Sequence, residues 1–161
     1  MNTKENPRAY PDRPYVGVGV VVFRGEEVLL TKRGKKPRFN SWSIPGGAQE
    51  LGETIEGAAH REILEETGLV IEILGLVEVV NSINLDDEDR VQFHYTLIDF
   101  VAEWKSGNLV AGDDAADARW VPINEIEGYK LRPLTYEVIL EADKLRKLGS
   151  LKLSKRGRKT I

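Results

Sequence analysis

One segment of the sequence, Thr54 to Thr67, constrains the fold more than any other because it carries several local signals of an α-helix. Thr54 is a favourable N-cap residue, and Gly68 followed by an apolar residue is a common stop signal at the end of a helix. One face of this helix is apolar and is therefore expected to pack against the body of the protein. That face contains Ile55, Ala58 and Ala59.

The same face of the predicted helix carries three carboxylates. Glu62, Glu65 and Glu66 stand at positions i, i+3 and i+4, which are neighbours on a helix surface. Like charges at this spacing destabilise a helix by about 0.2–0.5 kcal/mol per pair, and partial burial raises that cost. A divalent cation would relieve the repulsion. Because the ligands are all oxygens, the pattern favours Mg²⁺, with Mn²⁺ as a substitute, over zinc.

Two further features place polar groups near these carboxylates. Pro45, Gly46 and Gly47 are predicted to form flexible backbone just ahead of the helix, where a carbonyl oxygen could act as another metal ligand. Glu53 and Arg61 are predicted to form an ion pair that fixes this loop relative to the helix. We interpret that pair as a positioning element.

The remaining pattern predicts a mixed α/β fold. Runs of alternating and β-branched residues predict strands, and a second helix is predicted near the C-terminal end. We expect strands at residues 15–23, 28–33, 41–44, 70–83, 91–104 and 118–122, a helical turn at 124–129 and the second helix at 134–148. The chain is thereby divided into an N-terminal arm at 1–13, one domain at 14–148 and a basic, frayed tail at 149–161.

Composition limits the class of protein. The 161 residues are enough for one domain, and 41% hydrophobic with 30% charged residues is typical of a globular protein. No apolar run is long enough for a membrane helix, so no membrane partner is expected. The polar N-terminus does not resemble a signal peptide, and the absence of cysteine is typical of intracellular proteins. We therefore expect a cytoplasmic protein.

Charge is unevenly distributed along the chain. Residues 144–161 contain eight basic and no acidic residues, which leaves 15 basic and 26 acidic residues, a net charge of −11, in residues 1–143. The bulk electrostatics of such a body disfavours an anionic partner, so a phosphate-binding site would need a local reversal of the field. The tail lacks interleaved aromatic residues, so nucleic acid is not an expected partner.

The segment from Gly47 to Leu69 resembles the Nudix box, the pattern G-x5-E-x7-R-E-U-x-E-E-x-G-U in which U is apolar. The match is complete at every fixed position, and the matching residues are Gly47, Glu53, Arg61, Glu62, Ile63, Glu65, Glu66, Gly68 and Leu69. The predicted strands on either side of the box occupy the places that the family's α/β/α sandwich, with its mixed central sheet, would require. The resemblance therefore extends over residues 14–148.

The resemblance implies an enzyme that hydrolyses a nucleoside diphosphate linked to another moiety, with Mg²⁺ as cofactor and a small nucleotide as substrate. It also implies roles for the box residues by position. The implied metal ligands are Glu62, Glu65, Glu66 and the Gly47 carbonyl, and the implied supporting pair is Glu53 with Arg61.

Two residues are candidates for the general base that takes a proton from the attacking water. Glu62, within the box, is favoured. Asp114 is the alternative, because some family members use an acidic residue on a later loop, and Gly112-Asp113-Asp114 would be that loop here. Simple turn formation would also explain both aspartates.

Basic and aromatic residues ahead of the box are candidate substrate contacts. Arg33, Lys35 and Arg38 belong to a basic loop and could bind a substrate phosphate, although such loops are often only solvent-exposed. Trp42 could stack on a base or a ribose, although an aromatic residue beside a strand usually packs in the core.

Residues 32–47 and 113–121 further resemble the ADP-ribose pyrophosphatase-type branch of the family, although a proline that often follows the box in such enzymes is absent. This branch implies hydrolysis of ADP-ribose to AMP and ribose 5-phosphate. One alternative is a nucleoside triphosphate pyrophosphatase that clears oxidised nucleotides. Another is a Nudix domain that only binds a nucleotide or RNA. Family members are often dimers, so a homodimer is an alternative to a monomer.

Overall fold

The computed structural model describes residues 6–35, 38–112 and 114–149, and within these ranges the chain forms one sheet flanked by helices. The strands are β1 (Tyr15–Arg24), β2 (Glu27–Arg33), β3 (Trp42–Ser43), β4 (Gly46–Ala48), β5 (Val70–Leu85), β6 (Val91–Ser106) and β7 (Ala115–Pro122). The helices are α1 (Ile55–Thr67), a 3-10 helix (Ile123–Tyr129) and α2 (Pro133–Lys147).

The sheet is mixed, and its main path runs β3-β2-β1-β6-β5, with β4 attached to β1 and β7 to β2. β1 and β6 are parallel, whereas the other ladders are antiparallel. β6 pairs with β1 from residue 15 to residue 23 on one edge. On the other edge, β4 pairs with residues 17–19 and β2 pairs with residues 23–24. The sheet is therefore interrupted beside the middle of β1.

Alternation of side chains along β1 creates two separate cores. Val18, Val20 and Val22 pack with the buried face of α1. Val21 and Phe23 pack with the buried face of α2. The two helices therefore cover opposite faces of the sheet, which confirms the α/β/α sandwich with a mixed central sheet.

Several predicted element boundaries are wrong. The predicted strand 41–44 is limited to β3, and the predicted strand 118–122 begins at Ala115. Gly46 and Gly47 do not form flexible backbone, because they belong to β4 and pair with β1. A Cβ atom at Gly46 would lie 2.0 Å from the carbonyl oxygen of Val18, so only glycine lets the two backbones approach this closely.

The described part of the N-terminal arm packs on the domain. The backbone N–H of Tyr10 donates to the Gln92 carbonyl at 2.8 Å, and the Tyr10 hydroxyl donates to Asp86 at 2.9 Å. The predicted basic tail lies outside the described residues from position 150 onward. In the part of the chain that the structure describes, no helix is long and apolar enough to cross a membrane.

Candidate active site

Helix α1 is oriented so that two of its carboxylates face β4. The Thr54 side chain accepts a hydrogen bond from the Gly57 N–H at 3.0 Å and caps the first turn, as predicted. Buried apolar side chains fix the rotation of the helix against the sheet. In this orientation the backbone N–H of Gly46 donates to Oε2 of Glu66 at 3.3 Å.

Arg61 forms hydrogen bonds with groups on α1, on β4 and in the loop between them. Its guanidinium donates to both carboxylate oxygens of Glu53, at 2.8 and 3.0 Å, and to the carbonyl oxygen of Ala48 at 3.0 Å. It also donates to Glu62 at 2.9 Å and to Glu65 at 3.2 Å. The hydrogen bond from Arg61 lowers the pKa of Glu53. The ion pair predicted from the sequence is thus present in bidentate form, and its positioning role stays a prediction.

The three box glutamates of the helix lie in different environments. The side chain of Glu62 is only 14% exposed, and burial raises its pKa although Arg61 opposes that shift. Burial, and then the neighbouring carboxylate of Glu62, raise the pKa of Glu66 to about 7. The side chain of Glu65 is 59% exposed. Glu62 and Glu66 therefore carry most of the electrostatic cost at this site.

A cavity of about 320 Å³, the carboxylate cavity, is bounded by Glu62, Glu66 and Asp114. The ammonium group of Lys35 forms an ion pair with Asp114 at its edge. Asp113 lies outside the described residues. Of the residues predicted to form the site, this cavity brings together Gly47, Glu62, Glu66, Asp114, Arg33, Lys35, Arg38 and Trp42. It is not lined by Glu65, Glu53 or Arg61.

The chemistry of this cavity fits a hard divalent cation. Among the described residues no group of three metal-ligating side chains is preassembled, because Arg61 binds one oxygen of Glu62 and also holds Glu65. A Cβ atom at Gly47 would lie 2.2 Å from Oε1 of Glu62, so glycine is needed there for the carboxylate to reach the cavity. Two half-buried carboxylates with raised pKa values face one space, and a cation between them would offset their repulsion.

A second cavity of about 310 Å³, the glycine cavity, opens on the α2 side of the sheet. Gly17 and Gly19 line it, because the same alternation that buries Val21 leaves no side chain at these two positions of β1. A Cβ atom at Gly17 would lie 2.9 Å from Cδ2 of Leu97. Other walls are formed by Phe93, Tyr95, Leu97, Leu134 and Val138.

Four arginines line both cavities and form what we call the arginine wall: Arg8, Arg33, Arg38 and Arg132. None of them has a carboxylate within ion-pair distance among the residues that the structure describes, whereas five arginines elsewhere on the domain are ion-paired. Burial, and then the nearby charges of Arg132 and Arg33, lower the pKa of Arg38. This wall supplies the local reversal of charge that an anionic substrate requires.

Trp42 lines the carboxylate cavity, but its ring is engaged by protein groups. The Tyr129 ring meets it edge-on with the centroids 5.1 Å apart, and the guanidinium of Arg119 lies 5.1 Å from its centroid. These contacts explain why Trp42 is half-buried. Its role as a stacking surface for substrate stays a prediction.

Sequence reasoning missed half of the arginine wall and the origin of the glycine cavity. Arg8 lies in the arm and Arg132 precedes α2, and neither position carries a local signal of function. The glycines did leave a signal, because Gly17 and Gly19 alternate with valines in a strand and so leave one face without side chains at two successive positions. Glycine within a strand often marks a close approach of another group.

Comparison with known proteins agrees with this architecture. The NUDIX domain model matches residues 13–153. An ADP-ribose pyrophosphatase of Methanocaldococcus jannaschii is 36% identical over 113 residues, which are 70% of this chain and 64% of that protein. The uncharacterized Nudix hydrolase YvcI of Bacillus subtilis is 31% identical over 70% of this chain and 69% of its own length. A Nudix hydrolase structure from Nitrosomonas europaea superposes with a TM-score of 0.70 at 25% identity, over 86% of this chain and 75% of that one. The chain therefore belongs to the Nudix hydrolase family.

Proposed function

We propose that the protein is a Mg²⁺-dependent hydrolase of the pyrophosphate bond in nucleoside diphosphates linked to another moiety. We further propose that the substrate is ADP-ribose and that the products are AMP and ribose 5-phosphate. The observation that carries this proposal is the arginine wall, which lines both a cavity bounded by carboxylates and a cavity with aromatic and aliphatic side chains on part of its wall. The similarity to a relative named as an ADP-ribose pyrophosphatase supports the choice of substrate.

The arginine wall is suited to bind the pyrophosphate. Guanidinium groups recognise phosphate oxygens through paired hydrogen bonds, and these four have no carboxylate partner within the described part of the chain. A substrate with phosphates at its centre and a nucleoside at one end could place the phosphates on the wall and the nucleoside in the glycine cavity. Such a placement would leave the scissile bond beside Glu62 and Glu66.

Glu62 and Glu66 are the residues that would hold Mg²⁺, with the Gly47 carbonyl and the exposed Glu65 as further predicted ligands. When bound, Mg²⁺ neutralises pyrophosphate charge and makes a coordinated water more acidic. Glu53 and Arg61 do not line the cavity, so we assign them the positioning of the box loop against the helix.

The hydrolytic step needs a proton acceptor among the chain's own residues. The oxygen of water attacks one phosphorus atom, the bond from that phosphorus to the bridging oxygen breaks, and the proton lost by water passes to a carboxylate. Glu62 is the favoured acceptor, because within the described residues Arg61 binds only its Oε1 and leaves Oε2 available. Asp114 is the alternative, since it borders the same cavity.

The test is a product analysis with a substrate panel. Purified protein is incubated with Mg²⁺ and ADP-ribose, NADH, diadenosine polyphosphates, sugar nucleotides or deoxynucleoside triphosphates, and the products are identified by chromatography against standards. We expect AMP and ribose 5-phosphate from ADP-ribose, and loss of turnover in EDTA. Release of inorganic pyrophosphate from triphosphates as the main activity would instead support the triphosphate pyrophosphatase alternative.

Variants assign the activity to the site. Glu66→Gln should abolish turnover and leave the fold intact, as judged by circular dichroism. Glu141→Gln is the matched control, because Glu141 is an exposed residue of α2 that pairs with Lys144 far along the helix from both cavities. Full activity of Glu66→Gln would refute the metal assignment. Tight binding of one nucleotide without turnover of any would support a binding domain.

A further inference from the structure

Asp99 is a buried acidic residue in the middle of β6, and none of the proposed chemistry uses it. It is only 7% exposed, and it borders the glycine cavity on the part that the carboxylate cavity does not share. Its side chain occupies space that Gly19 leaves free, because a Cβ atom at Gly19 would lie 2.2 Å from Oδ1 of Asp99. The strand next to Asp99 is thus shaped around this carboxylate.

Within the described part of the chain, the carboxylate of Asp99 has no hydrogen-bond or ion-pair partner. Across residues 6–35, 38–112 and 114–149, it accepts no hydrogen bond and forms no ion pair. The residue opposite it on β5 is Glu78, which has the same sign of charge. Burial, and then Glu78, raise the pKa of Asp99 to about 6, so it is ionised at neutral pH at a cost to the fold.

The wall of the glycine cavity therefore carries positive charge in one part and negative charge in another. The arginine wall carries four cations where this cavity meets the carboxylate cavity, and Asp99 lies on the unshared part, where aromatic, aliphatic and uncharged polar side chains form the wall. A molecule with phosphate groups at one end and a hydrogen-bond donor at the other would match both. Such a donor would pair with a carboxylate that has no hydrogen-bond partner among the described residues.

We propose that Asp99 is a specificity-determining residue that accepts a hydrogen bond from the moiety beyond the pyrophosphate, either from the amino group of a base or from a hydroxyl group of a sugar. The inference rests on the proposed function, since it takes the arginine wall as the phosphate site. We therefore expect the glycine cavity to bind the end of a ligand that carries a hydrogen-bond donor, and to disfavour an end that presents only hydrogen-bond acceptors.

The experiment measures binding without turnover. Calorimetry in EDTA compares ADP-ribose with two analogues, one lacking the 6-amino group of adenine and one lacking the hydroxyl groups of the distal ribose. In the wild-type protein we expect one analogue to bind about 10- to 100-fold more weakly than ADP-ribose, as for a hydrogen bond to a charged group. In Asp99→Ala, that analogue and ADP-ribose should bind with equal affinity. This loss of discrimination is the coupling to Asp99, and the group that the analogue lacks is then the hydrogen-bond donor.

Controls separate recognition from folding. Glu78→Gln removes the neighbouring carboxylate, which does not line the cavity, and should keep the wild-type discrimination. Should Asp99→Ala fail to fold, Asp99→Asn preserves the shape and should reduce the discrimination through loss of charge. If the wild-type protein and the Asp99 variants discriminate equally between ADP-ribose and the analogues, the inference is overturned.

The inference and the proposed function fail in different ways. Turnover of ADP-ribose in Mg²⁺ without coupling at Asp99 would overturn the inference and leave the function standing. Coupling at Asp99 without turnover would overturn the function and support the inference. No detectable binding of ADP-ribose to the wild-type protein in EDTA or in Mg²⁺ contradicts both.

Discussion

Gly19 and Asp99 lie opposite each other in the parallel ladder between β1 and β6, and the carboxylate of one fills the space that a side chain of the other would need. A Cβ atom at Gly19 would also lie 3.0 Å from Cδ1 of Ile44. Gly17 gives the same room to the side chain of Leu97, and both glycines line the glycine cavity.

Gly19→Ala should displace the Asp99 carboxylate. The added methyl group overlaps the packed side chains of Asp99 and Ile44, so we expect the free energy of unfolding to fall by about 1–3 kcal/mol and discrimination between ADP-ribose and its analogues to weaken. Urea unfolding and calorimetry measure the two effects. Gly128→Ala is the matched control, because no atom lies within 4 Å of a Cβ placed there, and it should change neither quantity. Unchanged discrimination in Gly19→Ala would contradict the placement of Asp99.

Asp99 should make the stability of the protein depend on pH. Its pKa is raised to about 6 in the folded state from 3.8, so the folded state binds the proton more tightly than the unfolded state does. Protonation of Asp99 therefore favours the folded state. Its contribution to the free energy of unfolding is fully present below about pH 4 and is lost as the pH rises through about 6. At pH 7.5 we expect Asp99→Asn to be more stable than wild type by roughly 1–3 kcal/mol.

Urea unfolding of both proteins between pH 4 and pH 7.5 measures this difference. The stability advantage of Asp99→Asn should shrink as the pH is lowered, because the wild-type carboxyl becomes neutral. Glu78→Gln, measured in parallel, controls for the neighbouring carboxylate. An advantage that does not vary with pH would show that the charge of Asp99 is not its cause.

Arg61→Lys should impair catalysis more than substrate binding. The side chain of Arg61 is 22% exposed and bonds four groups, and a lysine ammonium cannot reproduce the paired bonds to Glu53. We expect kcat to fall at least about tenfold with little change in KM, together with a loss of about 1–3 kcal/mol in unfolding free energy. Arg24→Lys, at an exposed pair with Glu27, should cost less than about 1 kcal/mol and leave kcat unchanged.

Arg132→Gln should weaken substrate binding more than catalysis. Arg132 belongs to the arginine wall, and the loss of one charged donor to a phosphate should raise KM roughly 10- to 100-fold with a small effect on kcat. Steady-state kinetics at two salt concentrations measures this, and the wild-type KM should rise more steeply with salt than that of the variant. Arg24→Gln is the control. A variant that lowers kcat alone would contradict the role of the wall.

Local sequence signals predicted helix α1 and its surroundings well. The cap at Thr54, the stop at Gly68 and the spacing of Glu62 and Glu66 depend on residues within a few turns of one another, so they can be read without the fold. The same is true of the pair formed by Glu53 and Arg61, which lie eight residues apart. Local patterns failed where pairing with a distant strand decides the conformation. Glycines 46 and 47 were predicted to be flexible, but they form a strand because they pair with β1.

The sequence by itself determined the family, the sandwich and the carboxylates that predict a metal site, because these follow from short-range periodicity and a contiguous box. Only the tertiary structure decided what surrounds them. Arg8 and Arg132 come from opposite ends of the chain, and Asp99 meets Gly19 across 80 positions of sequence. No local pattern predicts that these residues lie close together, because strand order and helix placement decide it. The global charge therefore disfavoured an anionic ligand, while the fold brought together four arginines that have no carboxylate partner among the described residues.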